Sequence, residues 1–182
     1  NETVPCFILK LPLRVDSAGR CLFARDFEYA RNLRNATLNT VLKKDRAMKQ
    51  LAKWKEICEL PKGPERNKKF QEIRKEYGLY SANDFEKILK EHAKKSGRKK
   101  QLNSNLGQII ADDLYRSYTD WLFHKKGRPR FRGRNRGLHS LRGKNNATGV
   151  VWKHEERSVR YGKKLYKAVI DPKDRYVQEA LV

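Results

Sequence analysis

The residues best suited to chemistry are seven cationic side chains that lie together, without a carboxylate, in residues 124–137. Glycine and proline interrupt this segment, which disfavours a helix or a hydrophobic core. Arginine guanidiniums bind phosphate oxygens through paired hydrogen bonds, and glycine lets the backbone approach a ligand closely. Phe131 adds one flat ring that can stack on a base or a sugar. We call residues 124–137 the arm and predict that it binds nucleic acid.

The cationic stretch continues past the arm. Nine Lys or Arg residues and no Asp or Glu lie between His124 and Lys144. Neutralising several phosphates would make binding strongly salt-dependent. A solvated basic tail is the alternative, but aromatic-rich segments follow the arm and favour an ordered contact. The predicted nucleic-acid-binding residues are Lys125, Lys126, Arg128, Arg130, Phe131, Arg132, Arg134, Arg136, Arg142 and Lys144.

The charge of the whole chain points to the same partner. The 182 residues include 43 Lys or Arg against 21 Asp or Glu, a formal net charge of +22 with a pI of about 10.1. Such a protein repels itself unless polyanions neutralise it. No apolar run approaches the ~18 residues of a spanning helix, so no membrane partner is predicted. The three cysteines form no CxxC pair, and we predict no metal ligand and no cofactor in this chain.

The elements that must position the arm change from strand to helix and back. Residues 4–15 are apolar with partial alternation, which predicts a strand, and residues 16–19 predict a turn. Apolar side chains then recur every three or four residues, which predicts a helix from residue 20 to about 55. A second helix is predicted over residues 65–77, with Gly78 as its stop.

Two further helices and a set of strands complete the prediction. Ser81 is the expected N-cap of a third helix, a role that Asp84 could share, and Asn103 or Ser104 opens a fourth. The apolar stripe of the fourth helix is expected to pack on the first. Short antiparallel strands are predicted at residues 138–141, 149–153, 157–161 and 164–170.

This order predicts an α+β fold: a small antiparallel sheet or barrel whose first strand is separated from the others by a helical bundle. We assign residues 1–19 to the first strand, residues 20–123 to the helical domain and residues 124–137 to the arm. Residues 138–182 then hold the remaining strands.

Carboxylates offer little for catalysis. Asp112 and Asp113 are neighbours on a predicted helix and point in different directions, while Asp171 and Asp174 flank a Pro-Lys turn. No phosphate-binding loop, nucleophile motif or paired Cys/His signature is present. We therefore predict no catalytic residue in this chain.

A second binding surface is predicted on the helices. Tyr80 lies in a polar segment between two helices, and Ser104 and Gln108 lie one turn apart at the start of the fourth helix. Side chains of these types can contact base edges or the sugar-phosphate backbone at a helix N-terminus. They could equally serve as helix caps.

Several segments, taken in order, resemble a known family. They are residues 7–13, residues 27–36, Leu60-Pro61-Lys62-Gly63, and the aromatic helix end at 118–123 that leads into Gly-Arg-Pro-Arg-Phe-Arg-Gly at 127–133. Residues 138–145 and 171–174 add weaker matches. Together they resemble the N-terminal part of TnpB-type proteins, the insertion-sequence-encoded RNA-guided nucleases, often called transposases, that are related to type V CRISPR effectors.

The resemblance implies a wedge domain, an OB-like β-barrel, interrupted by a helical recognition domain. These two parts would hold guide RNA and the guide–target heteroduplex and would read a short motif beside the target in double-stranded DNA. Tyr80, Ser104 and Gln108 match the expected positions of the motif-reading residues. The implied location is the prokaryotic cytoplasm or nucleoid, without a membrane.

The family's nuclease core, with three separated carboxylates, and its zinc ribbon would follow this region, so we expect the chain to be part of a longer protein. Mg²⁺ is expected for that nuclease domain if it is present. Two alternatives stay open: an RNA-guided DNA-binding repressor that lacks the nuclease, and a generic structural RNA-binding protein.

Overall fold

A computed structural model of the chain describes residues 8–135, 138 and 140–181, and this part forms six helices and one three-stranded sheet. The α+β class is confirmed. The chain divides into two compact units, Ala24–Arg142 and a unit that joins Asn1–Phe23 to Gly143–Val182. The helices are α1 Ser17–Gln50, α2 Ala52–Glu59, α3 Pro64–Glu76, α4 Ala82–Lys95, α5 Ser104–Leu122 and α6 Arg175–Ala180.

The smaller unit holds the sheet. Its strands are β1 Val150–Lys153, β2 Ser158–Tyr161 and β3 Lys164–Lys167, and β2 pairs antiparallel with both neighbours. Tyr161 and Tyr166 are buried, and each ring lies 5.0 Å from the ring of Phe23. The cluster of three aromatic rings gives this sheet its apolar face.

The N-terminal segment reaches this sheet through one isolated bridge, Leu13 to Ala168. The Arg14 N–H donates to the Lys167 carbonyl at 2.8 Å, and the Val169 N–H donates to the Pro12 carbonyl at 2.7 Å. Proline has no N–H to donate, which limits a ladder here. The predicted strand at residues 4–15 is thus reduced to a bridge within residues 8–15, and its earlier residues lie outside the described part.

The described strands do not close into the predicted barrel. The sheet is open with the order β1-β2-β3, and each strand has four residues. Leu138, Ser140 and Leu141 belong to no strand, so the strand predicted at residues 138–141 is wrong there, and His139 lies outside the described residues. Three short strands cannot supply the tilt and number that closure requires.

The turn predicted at residues 16–19 is also wrong, because α1 begins at Ser17. The Asp16 carboxylate accepts a hydrogen bond from the Gly19 N–H at 2.6 Å, which is N-cap geometry. The single helix predicted to reach residue 55 ends at Gln50, where Leu51 adopts an extended conformation before α2.

The other helix limits follow local signals. Pro64 opens α3, and Gly78, with a φ of +62°, follows its end. Ser81 and Asp84 form a reciprocal capping box at α4, and the Asn103 side chain caps α5. The predicted caps are therefore confirmed. No helix in the described residues is long and apolar enough to span a membrane.

The core of the helical unit lies where α5 packs against α4. The Phe85 and Tyr118 rings, both buried, are 5.5 Å apart. Contact between α5 and α1 includes the Tyr118 hydroxyl, which donates to the buried Asp45 carboxylate at 2.8 Å. Burial, followed by the charge of Asp45, raises the pKa of Tyr118 well above its ordinary value.

Candidate nucleic-acid interface

The arm leaves α5 through a defined turn. His124 has a φ of +56°, in the left-handed region, and the main-chain N–H groups of Lys125 and Lys126 both donate to the Asp120 carbonyl, at 2.7 and 3.1 Å. The Lys126 ammonium also lies 2.7 Å from the Asp120 carboxylate. This hydrogen bond, aided by the charges of Lys126, Lys125 and Arg116, lowers the pKa of Asp120. The start of the arm is thus anchored to the last turn of α5.

The middle of the arm is anchored to α1. Asn35 makes two hydrogen bonds with the main chain of Arg132: its Nδ2 donates to the Arg132 carbonyl at 2.8 Å, and its Oδ1 accepts from the Arg132 N–H at 2.9 Å. The Arg34 guanidinium donates to the Arg130 carbonyl at 3.1 Å. Arg31 adds a longer bond of 3.4 Å to the Arg132 carbonyl. These side chains share one face of α1 because they are spaced by three and four residues.

The anchoring uses the arm's main chain, which leaves its side chains in solvent. Arg130, Arg132 and Arg134 are exposed, and 54% of Phe131 remains exposed. A disordered basic tail would have no such set of hydrogen bonds to a helix. The described arm is therefore an ordered loop that presents guanidiniums and one aromatic ring.

These side chains surround a cleft of about 720 Å³. Its lining includes Arg34 of α1 and five predicted contacts: Lys126, Arg130, Phe131, Arg132 and Arg134. No acidic residue lines this cleft, and all its lining residues belong to the described part of the chain. Burial and then the charge of Arg132 lower the pKa of Arg34, against a smaller opposing effect of Asp113. A polyanion would relieve this like-charge repulsion.

The remaining predicted contacts lie elsewhere. Lys125 is exposed beside the cleft's first residues, and the Arg128 guanidinium lies 6.0 Å from the centre of the Trp121 ring. Arg142 pairs with Asp113 at 2.8 Å, so one of its donors is already engaged. Lys144 belongs to the smaller unit, and Arg136 lies outside the described residues.

The helix residues predicted to read a motif are brought together only in part. Ser104 and Gln108 line one cavity of about 110 Å³, and Gln108 donates to the Glu86 carboxylate at 3.1 Å. Tyr80 does not line this cavity. Its carbonyl accepts from the Tyr115 hydroxyl at 2.7 Å, and Lys75 lies 4.8 Å from the centre of its ring.

Sequence reasoning missed the three α1 residues that hold the arm. Arg31, Arg34 and Asn35 lie in the helix predicted from residue 20 to about 55, yet each contacts a residue about a hundred positions later. Their spacing marks a shared face, but it does not identify the partner of that face.

Carboxylates do not converge in the described part of the chain. No group of three or more His, Cys, Asp or Glu side chains there could hold a metal ion. Asp171 accepts from the Lys173 N–H at 2.8 Å, and Asp174 caps α6 by accepting from the Val177 N–H at 3.1 Å. Both residues therefore act on the local backbone.

No known protein family, curated protein or solved structure matches this chain.

Proposed function

We propose that this chain is the guide-RNA- and target-DNA-binding portion of an RNA-guided DNA endonuclease of the TnpB type. The arm would contact the RNA scaffold or the guide–target heteroduplex, while base pairing would read the target sequence. Ser104 and Gln108, and separately Tyr80, would read a short motif beside the target. Support for the family comes from the ordered series of sequence segments described above. The Mg²⁺-dependent nuclease domain would lie outside this chain.

One observation carries the binding part of the proposal: α1 fixes the main chain of the arm and leaves its cations exposed. The Arg34 guanidinium binds the main chain of Arg130, and the Asn35 amide binds the main chain of Arg132, two residues further along. The backbone that carries these side chains is then ordered before binding, which lowers the entropic cost of the contact. Guanidiniums arranged in this way can bind successive phosphates, and Phe131 can stack on an exposed base or sugar.

The nucleic acid that accompanies the protein in cells tests the proposal. The intact gene should be expressed in its native genetic setting, and the RNA that copurifies with the protein should be sequenced. We expect one transcript species with a constant scaffold and a variable end. A mixture dominated by ribosomal RNA would contradict the guide role and would favour a structural RNA-binding protein.

Sequencing downstream of residue 182 completes the test. A carboxylate set with CxxC pairs is expected for the nuclease. A stop codon at this point, together with a guide-like transcript, would favour an RNA-guided repressor over a nuclease. In either case a matched variant, Asn35→Ala, should copurify with less RNA than the control Asn39→Ala, which lies one helical turn away on α1.

A further inference from the structure

A second cleft, of about 620 Å³, lies within the helical unit and is formed by α2, α3 and the end of α5. We call it the α3 cleft. One wall is a single face of α3, because Arg66, Phe70 and Arg74 recur every four residues, with the amides Asn67 and Gln71 beside them. Arg66 and Arg74 are eight residues apart, which places their Cα atoms about 12 Å apart along the helix.

Aromatic rings form much of the remaining surface. The Trp54 and Phe70 rings lie 4.7 Å apart in a tilted pair, and the Arg66 guanidinium lies 5.5 Å from the centre of Phe70. Phe123 lines the same cleft and is 62% exposed. An aromatic ring this exposed at the edge of a concave site offers a flat surface for a planar ligand.

The charge in the α3 cleft is entirely positive. Lys62, Arg66 and Arg74 contribute cations, and no acidic residue lines the cleft, whose lining residues are all described. Gly63 lines the cleft and precedes α3 without a side-chain cap, and the N-terminal end of a helix favours an anion nearby, although Pro64 contributes no N–H. Glu65 lies in that turn, but it pairs with Lys69 at 3.1 Å and does not line the cleft.

Arg74 provides the second, independent observation. It is 7% exposed, and its Nη2 donates to the Leu79 carbonyl at 3.2 Å. Its Nε–H is buried and has no hydrogen-bond partner within the described residues. Buried donors are normally satisfied, and Arg74 lines the cleft, so a small shift of its side chain would let this N–H meet an acceptor on a bound ligand.

We propose that the α3 cleft binds a nucleotide. The phosphate lies at the N-terminal end of α3, on Lys62 and Arg66. The base lies toward Arg74, whose Nε–H donates to an acceptor on the base edge. Phe123 stacks on the base, and the Asn67 and Gln71 amides complete its hydrogen bonds. A free mononucleotide and an unstacked nucleotide of a bound strand share this chemistry.

The α3 cleft does not depend on the proposed function, because none of the arginines of the arm lines it. The probe is 2-aminopurine riboside 5′-monophosphate, whose fluorescence falls when the base stacks on an aromatic ring. A second series carries the same base at successive positions of a single-stranded RNA. The unphosphorylated riboside serves as a third probe.

The variants remove the exposed members of the α3 cleft, so that the fold is kept. Phe123→Ala is expected to weaken binding of the probe by about fivefold or more, as loss of one stacking contact implies. Lys62→Ala should weaken binding of the monophosphate and leave binding of the riboside unchanged. The controls are Tyr176→Ala, an aromatic residue with 60% exposure in the other unit, and Lys68→Ala, an exposed α3 lysine that does not line the cleft.

Saturable quenching of the free monophosphate, reduced by both cleft variants, supports a site for a free nucleotide. Quenching at one position of the RNA alone, again reduced by Phe123→Ala, supports capture of a nucleotide within a strand. The proposal is overturned if neither probe shows saturable quenching, or if the cleft variants behave like their controls. Circular dichroism of each variant confirms that a loss of quenching does not reflect unfolding.

Discussion

Replacing Asn35 by alanine is expected to release the middle of the arm from α1. The substitution removes two hydrogen bonds to Arg132, of 2.8 and 2.9 Å. Each neutral bond contributes about 0.5–1.5 kcal/mol net, so the docked state should lose about 1–3 kcal/mol. This corresponds to a decrease of about 5- to 150-fold in the ratio of docked to undocked arm. The bond from Arg34 to the Arg130 carbonyl and the longer bond from Arg31 to the Arg132 carbonyl remain, and they limit the release to the segment around Arg132.

Hydrogen exchange of the Arg132 amide measures this release directly, because that N–H donates to the Asn35 side chain. We expect the protection of this amide to fall by a factor in the range above. The affinity for RNA should fall by no more than the same factor, since binding must then reorder the arm. Asn39→Ala, an exposed asparagine one turn further along α1, is the control. Equal protection of the Arg132 amide in Asn35→Ala and in the wild type would refute the account of how the arm is ordered.

Two other predictions concern charged hydrogen bonds. In Asp120→Asn, the Lys126 ammonium loses its 2.7 Å partner, and the salt dependence of RNA binding should steepen by about one unit of slope. The pKa of Asp120 is lower in the folded protein than in the unfolded chain, so its pairing with Lys126 stabilises the fold at pH values above the unfolded pKa. This stabilisation is lost as the pH falls through the folded pKa. An acid titration of Asp120 followed by NMR should show the lowered midpoint. In Tyr118→Phe, Asp45 loses a buried donor, and the free energy of unfolding, measured with urea, should fall by about 1.5–3 kcal/mol.

Each of these two predictions has its own control or contradicting result. Tyr115→Phe removes a hydroxyl that donates to a neutral carbonyl, so its cost should be smaller, about 0.5–1.5 kcal/mol. Equal costs for Tyr115→Phe and Tyr118→Phe would argue against a charged acceptor at Asp45. An unchanged salt dependence in Asp120→Asn would show that Lys126 does not reach a phosphate once it is released.

The parts of the fold that the sequence predicts well depend on neighbouring residues. Pro64 and Gly78 limit α3 through their own backbone geometry, and Ser81 pairs with a residue three positions later. Asp16 shows the limit of this reasoning, because aspartate is favoured both in turns and at helix N-caps. The local sequence therefore could not decide whether Asp16 would lie in a turn or cap a helix.

The parts that fail depend on distant partners. Closure of a barrel requires strands that pair with distant parts of the chain. Leu138 and Leu141, in the segment predicted to be a strand, have no strand partner among the described residues. The sequence shows that the arm is cationic, but it does not show that Arg34 and Asn35 bind the main chain of the arm. Nothing in a helical period shows that one polar face will bind a loop about a hundred residues away.

The central claim is that the ordered arm binds phosphates, and the salt dependence of RNA affinity tests it most directly. The test variant replaces Arg128, Arg130, Arg132 and Arg134 by alanine, which leaves the main-chain anchors in place. A control variant replaces Lys94 and Lys95 at the end of α4 and Arg98 and Lys100 in the connector before α5, which are all exposed, and it lowers the net charge equally. The control should retain most of the wild-type slope. In the test variant, affinity should fall and the slope of log K against log salt should flatten by about one unit for each lost phosphate contact. Affinity and slope that both match the wild type would contradict the claim.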